Sequence, residues 1–259
     1  DISGNGNTGT ITSATWSRGK LGKSLLFSGN GYVNIPYAFG APNTSTVSLW
    51  FKTGASTRGV LFDQANQPPT TTPSSFVPAI VIQTDGKIRA EFYNGVITGI
   101  TSTSALNDNR WHFLSFTGNS TTQELFIDGI SQGTRAGATN NSWWTNTIIG
   151  AGYDTVSRGA ASNAFIYFNG EIDNVKIYNY ARTPSQIAWD YNGGAPIAHY
   201  KLNECQGLVA NDASGNGNHG TITIGATGTN TAVGTCTSSG AWADGVTGKF
   251  GGSLDFDGT

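Results

Sequence analysis

A chain of 259 residues with 14 Lys and Arg against 16 Asp and Glu carries a formal net charge of −2 at pH 7, and only 12% of its residues are charged. Such a balance offers no long-range attraction to nucleic acid or to an anionic membrane surface, and no apolar run approaches the roughly 18 residues that cross a bilayer. Thirty-six glycines with abundant Ser, Thr and Asn describe a polar, weakly charged surface of the extracellular β-protein kind, while the lack of any methionine implies that the native start lies elsewhere, with no leader segment in view.

The chain opens DISGNGNTGTI, and residues 212–222 read DASGNGNHGTI, nine of the eleven letters in common. A second pair of anchors follows, KLGKSLLFSG at 20–29 and KFGGSLDFDG at 249–258, spaced 18 residues more widely in the later copy. This is a repeat rather than composition noise. Because AHYKLNECQGLVAN (198–211) has no counterpart ahead of Asp1, the sequence reads as a window on a tandem array: residues 1–194 form a domain lacking its first strand, and 195–259 the opening portion of the next.

Between the copies the hydrophobic period is two. YVNIPY (32–37), TVSLWFK (46–52), VLFD (60–63), AIVIQT (79–84), KIRAEFY (87–93), WHFLSFTG (111–118), QELFIDG (123–129), NTIIGAG (146–152), AFIYFNG (164–170) and EIDNVKIY (171–178) alternate or run apolar between Gly, Asn, Asp and Ser clusters. Many short antiparallel strands closing into an all-β sandwich are expected. The prolines of QANQPPTTTPSSF (64–76) exclude a central strand and predict a long rim loop. Only TPSQIAWDY (183–191) predicts a helix, with Thr183 as N-cap and Pro184 at the first helical position. Gly193 and Gly194 end the domain, and Ala195-Pro196 links to the next.

Cys205 and Cys236 both lie in the second copy, without a CxxC or Cys/His neighbour that would indicate zinc. A disulfide is expected rather than two free thiols, which implies an oxidising compartment.

Taken in order, YKLNE, DxSGNGNxGTI, GKFGxSLxFDG, YVNIP, VSLWFK, RWHFLSF, LFIDG, IIG and GEIDNVKIYNYAR resemble the laminin-G-like domain of the concanavalin A-like lectin/glucanase superfamily. The resemblance covers 1–194 apart from the first strand and restarts near 198. It implies a two-sheet jelly roll whose first and last strands are neighbours, with Trp50, Trp111, Phe126, Ile149 and Ile172 as packing residues. It also raises the question of hydrolysis, since the glucanases of the superfamily carry E-x-D-x-(x)-E on one strand. GEIDNVKIY supplies Glu171 and Asp173, which alternate onto one face, but Val175 or Lys176 stands where the second Glu belongs. A retaining glycosidase needs both carboxylates, so no enzyme and no catalytic residue is expected. His112, His199 and His219 are scattered, with His112 read as a structural neighbour of Trp111, and SGNGN lacks the Lys and helix of a phosphate loop.

Two readings of SGNGN stay open. It is a rim turn that needs positive φ, or a calcium corner to which Asp212 and Asn216 bring oxygen ligands, with Glu204 on the first strand approaching Asp173 on the last. Calcium is thus the one possible cofactor. For sugars, the candidates are Trp143 and Trp144, of which an extended chain turns at most one inward, with Tyr93 and Tyr153 beside turns; rim packing of both tryptophans is the competing reading. Two roles follow: a stalk- or filament-forming repeat of a surface or secreted protein, or a module that binds glycans or surface polymers. The first is preferred. Residues 198–204 are expected to fill the missing-strand slot beside EIDNVKIY in their own chain or another, joining copies head to tail, and Trp242, Phe250, Leu254 and Phe256 to pack on an adjoining copy.

Overall fold

Alternating apolar residues dominate the observed architecture. A computed structural model describes residues 1–36, 44–139, 144–194, 196–228, 230–238, 240–242, 252–256 and 258, and the chain divides into two compact units, Asp1–Tyr191 and Asn192–Thr259. Strands of the first are β1 (Thr10–Arg18), β2 (Lys23–Ile35), β3 (Ser45–Lys52), β4 (Gly59–Ala65), β5 (Phe76–Ile82), β6 (Ile88–Ala90), β7 (Ile100–Thr101), β8 (Trp111–Gly118), β9 (Thr122–Ile127), β10 (Ile130–Ala136), β11 (Asn146–Ile149), β12 (Ala151–Asp154), β13 (Ala164–Tyr167) and β14 (Asn169–Tyr178), followed by α1 (Pro184–Asn192).

One layer runs β10-β9-β8-β3-β14-β2 and the other β2-β11-β4-β5-β6-β7, so the long strand β2 belongs to both. Its residues 25–28 pair with β14, and its residues 33–35 pair with β11. Gly29, at φ 83°, marks the bend between the two ladders. Gly31 is required there because a Cβ would stand 2.5 Å from the Ser13 carbonyl oxygen.

Period two then sorts the side chains. Val47, Leu49 and Phe51 of β3 and Leu114 and Phe116 of β8 enter the core between the layers, where they meet Phe62, Ile80, Ile82 and Ile149. Trp50 and Phe113 point the other way and form a second cluster with Phe126 and Ile187 of α1. Tyr191 adds to it, its ring 5.7 Å from Trp50. Of the residues expected to pack, Ile149 and Ile172 are therefore in the main core, whereas Trp50 and Phe126, with half-buried Trp111 against them, lie on the outer face under the helix. Thr183 and Gln186 cap α1 reciprocally: the Gln186 N–H donates to Thr183 Oγ1 at 3.3 Å and the Thr183 N–H to Gln186 Oε1 at 3.0 Å.

Several elements differ from expectation. β1, the first half of β2, β7 and β10 arise where no strand is predicted, and the expected strand over 87–93 is ladder-paired only at Ile88–Ala90. Pro78 sits inside β5, and the β4–β5 register shifts opposite it, between Phe62 and Gln64, as a residue without an N–H requires.

Among its described residues the second unit has two short pairings, β15 (Val209–Ala210) with β16 (Gly220–Thr221), and a bridge between Tyr200 and Asp212. Cys205 and Cys236 are joined by a disulfide. Gly252 packs on it, since a Cβ there would lie 3.0 and 3.1 Å from the two sulfurs. Trp242 is fully buried and donates its indole N–H to the Gly207 carbonyl at 2.9 Å. The expectation that it needs another copy to pack on is corrected accordingly. Phe256 is 79% exposed, Leu254 is half-buried, and Phe250 lies outside the described residues.

Candidate functional site

The two SGNGN loops fold alike, down to individual hydrogen bonds. In the first, Asp1 accepts from the Ser3 N–H (2.9 Å), the Ser3 hydroxyl (3.0 Å) and the Asn7 N–H (2.9 Å). In the second, Asp212 accepts from the Ser214 N–H (2.8 Å), the Ser214 hydroxyl (2.7 Å) and the Asn218 N–H (3.0 Å). The glycines between take the same positive φ, 83° and 74° at Gly4 and Gly6, 89° and 73° at Gly215 and Gly217. A turn that wraps donors around one carboxylate explains why Asp, Ser and two Gly recur at this spacing.

That wrapping does not fit a cation. The Asp212 oxygens already face four donors, counting the His199 N–H at 2.8 Å, and the hydroxyl of Ser214 and the amides of His199, Ser214 and Asn218 hold its carboxyl well below the usual range. Asn216 presents its amide nitrogen, not its oxygen, to the Ile197 carbonyl at 3.0 Å. Glu204 accepts from the Asn211 N–H at 2.8 Å. Among the described residues no three His, Cys, Asp or Glu side chains gather as a metal site.

Asp173 accepts the Leu21 N–H at 2.7 Å and thereby pins the β1–β2 turn, where Gly19 leaves room for its carboxylate. Two residues earlier, Glu171 is held by Lys52 at 2.7 Å and by the Ser24 hydroxyl at 2.9 Å. Burial pushes the Glu171 carboxyl up, but the hydrogen bonds from Lys52, Ser24 and Ser17 outweigh it and leave its pKa below the ordinary value. A carboxylate so stabilised is a poor proton donor at neutral pH.

Beyond Ile172, β14 has a ladder partner on one side only. Asp173 and residues 176–178 pair with β3 on either side of a bulge at Asn174 and Val175, and among the described residues no ladder runs along their other edge. A groove of about 130 Å³ opens there, its apolar lining including Trp16, Leu25, Ile172 and Val175 and its polar lining Lys23, Asp173 and Asn174. Trp16 is 65% exposed although it stands opposite Leu25 on the core-facing side of β1. The groove is thus a mainly apolar slot, with one cation and one carboxylate in its lining, beside an unpaired strand edge.

Trp144 is 5% exposed and sits in the main core, which corrects its reading as a sugar platform; half-buried Tyr93 packs against that core. Trp143 lies outside the described residues. Half-buried Tyr153 stands between Phe76 (4.9 Å) and Phe165 (5.3 Å), both edge to face. Below it, Asp63 is fully buried and accepts the Tyr153 N–H at 3.2 Å. Burial raises its pKa well above the usual carboxylate value. A chain of ion pairs, Arg58 with Asp154 and Arg158 with Glu91 at 2.7 Å each, with Arg89 on the other Glu91 oxygen, fastens the turn after β12. Apart from Arg89 and Glu91, two residues apart, these partners are distant in sequence, and the pattern gives no sign of them. His112, read as a neighbour of Trp111, bridges Asp128 (2.8 Å) and Asp108 (3.0 Å) instead.

A two-layer antiparallel jelly roll defines a concanavalin A-like sandwich. The laminin-G-like family described as the concanavalin A-like lectin/glucanases superfamily matches residues 27–188, and the chain belongs to it. None of the curated proteins matches the chain. Among solved structures it is similar to the binding domain of Paraclostridial Mosquitocidal Protein 1, with 18% identity over 78% of this chain and a TM-score of 0.52; the match takes in 51% of that chain, about half its length. It is similar also to domain 4 of the extracellular arabinanase AbnA of Geobacillus stearothermophilus, in complex with arabinotriose (20% identity, 73% of this chain, 90% of that one, TM-score 0.49). A third is the heptameric SAP-like pentraxin of Limulus polyphemus (15% identity, 65% and 81%, TM-score 0.49). The likeness at these identities is one of fold.

Proposed function

We propose that this chain is a non-catalytic extracellular structural module that joins further copies of itself head to tail by strand addition. The groove beside β14 carries the reading: apolar walls next to an unpaired edge over residues 173–178 suit an added strand. Residues 198–204 have the matching length, since a six- or seven-residue strand spans about 20 Å, and beyond the Tyr200 bridge they form no ladder among the described residues. The disulfide supports an oxidising, extracellular setting. Lys52 on Glu171, and Val175 in place of a second carboxylate, speak against hydrolysis. A contact between two different surfaces builds a filament unless it closes into a ring.

Sedimentation velocity over a concentration series tests this. Species larger than the monomer are expected to grow with concentration and to vanish in Val175→Lys, which replaces an apolar wall of the groove with a second lysine beside Lys23 while the melting transition is retained. A full-length chain that stays monomeric at high concentration overturns the reading.

Glycan or surface-polymer binding is a second reading, favoured by the half-buried ring cluster of Phe76, Tyr153 and Phe165. Retention on polysaccharide columns that Tyr153→Ala abolishes would support it, and no retention of the wild-type chain on any of them rules it out.

A further inference from the structure

Asp63 of β4 is a buried carboxyl group with one oxygen to spare. Its Oδ2 accepts the Tyr153 N–H at 3.2 Å, whereas its Oδ1 is buried without a hydrogen-bond partner. The β12–β13 hairpin covers it. A Cβ at Gly152 would stand 2.6 Å from Asp63 Cβ and 2.8 Å from its Cγ, so only glycine lets the backbone of β12 close on this side chain.

That hairpin is attached differently from the other strands of the first unit. β12 and β13 pair with each other and, among the described residues, join neither layer of the sandwich. At the base the Gly150 N–H donates to the Leu61 carbonyl at 3.0 Å. Toward the tip the hold runs through side chains: the Tyr153 N–H on Asp63, Asp154 on Arg58, and Arg158 of the helical turn Val156–Arg158 on Glu91. A two-stranded ribbon held in this way can lift as a unit while the ladders beneath it stay closed.

Ionised Asp63 would place a charge in this seat with the Tyr153 N–H on one oxygen and nothing on the other. The charged groups around it are committed elsewhere. Asp154 of β12 is paired with Arg58, and Arg158 with Glu91, which Arg89 also holds. β5 and β11, on either side of β4, carry no ionisable side chain, and Tyr32 and Tyr167 pack on the apolar part of the seat, Ala65, Ile148 and Ala151. Burial pushes the Asp63 carboxyl up; the Tyr153 and Gln64 amides oppose the rise, Asp154 adds to it and Arg158 opposes it.

We propose that the β12–β13 hairpin is a proton-operated latch, shut while Asp63 is neutral and lifting more readily once Asp63 has given its proton to solvent. Lifting hydrates the carboxylate. It also parts Tyr153 and Phe165, on the hairpin, from Phe76 of β5, so the ring cluster is whole only while the latch is shut. Below the ordinary carboxylate value of about 3.9 the shut and lifted forms are both protonated, and the stabilisation of the shut form is fully present. Between that value and the raised one each opening releases a proton, so the lifted population grows about tenfold per pH unit; above the raised value it levels off.

Amide exchange followed by NMR on the full chain, from about pH 5 to about pH 8, reads the latch at Gly150 and Tyr153. Intrinsic exchange alone quickens about tenfold per pH unit, and these two amides are expected to quicken about a hundredfold per unit while the shut form keeps its proton. In Asp63→Asn, which keeps the shape and never ionises, they should return to tenfold. Corrected for intrinsic rates, both should exchange faster than the central amides of β8, because the sandwich stays folded when the hairpin lifts. A tenfold dependence at every pH in the wild type overturns the latch, and that measurement needs no variant. So does a hundredfold dependence that survives in Asp63→Asn, or protection at Tyr153 equal to that of β8.

Discussion

Removing the Cys205–Cys236 disulfide should release most of the second unit. Its bridge spans 31 residues, and opening a loop of that size returns roughly 12 cal/mol/K to the unfolded chain, or about 3.7 kcal/mol at 25 °C. Native packing adds to the loss. Gly252 rests on the two sulfurs, and Trp242 donates to Gly207, two residues past Cys205. Against this stands little regular structure among the described residues, one pair of two-residue strands and a single bridge, so the loss is comparable to the whole stability of so small a unit. Amide exchange over residues 205–242, measured by mass spectrometry in the wild type and in Cys205→Ala/Cys236→Ala, provides the assay. Protection of the amides at Trp242 and at Ile222, which bonds to Leu208, should drop by two orders of magnitude or more. Protection that is unchanged in the variant would refute the reasoning and place the stability of this unit elsewhere.

Ile187→Ala should cost about 3 kcal/mol, since a fully buried isoleucine leaves a cavity among Trp50, Phe113 and Phe126; a shift in chemical denaturation of under 1 kcal/mol would count against α1 as the cover of that face. Stability should also depend on His112. Its hydrogen bond to Asp128 raises its pKa above 6.5, with burial opposing and Asp108 assisting. The stabilisation, on the order of 1 kcal/mol for so open a pair of carboxylates, is fully present below about pH 6.5 and lost as pH rises through the folded-state value. Thermal melts should therefore fall across that window in the wild type and stay flat in His112→Gln; parallel curves would dismiss the bridge.

What could be read in advance follows from where the physical signal lies. Strands buried on one or both faces, such as VSLWFK and WHFLSF, announce themselves by period two, and Thr183-Pro184 announces α1 by its cap. β10 (Ile130–Ala136) does not, because an edge strand exposed on both faces has no apolar alternation to show. β1 is hidden for a similar reason: its two large apolar side chains, Ile11 and Trp16, are both exposed, and Trp16 faces a groove rather than a filled core. The SGNGN turn is legible from its glycines, but its grip on the Ile197 carbonyl and on His199 involves residues 13 to 21 positions away. No local pattern encodes that contact. Trp143-Trp144 shows a limit of another kind. Parity states that at most one of the pair turns inward, and only the coordinates tell that Trp144 does.

Because β2 belongs to both layers, neither sheet has an independent fate. Unzipping residues 25–28 from β14 pulls on Gly29 and then on residues 33–35, which seat β11. A tensile load entering at β14, where an added strand would transmit it, is therefore shared across the bend by both halves of the sandwich. The jelly roll should yield as a single mechanical element, in one rupture event rather than layer by layer.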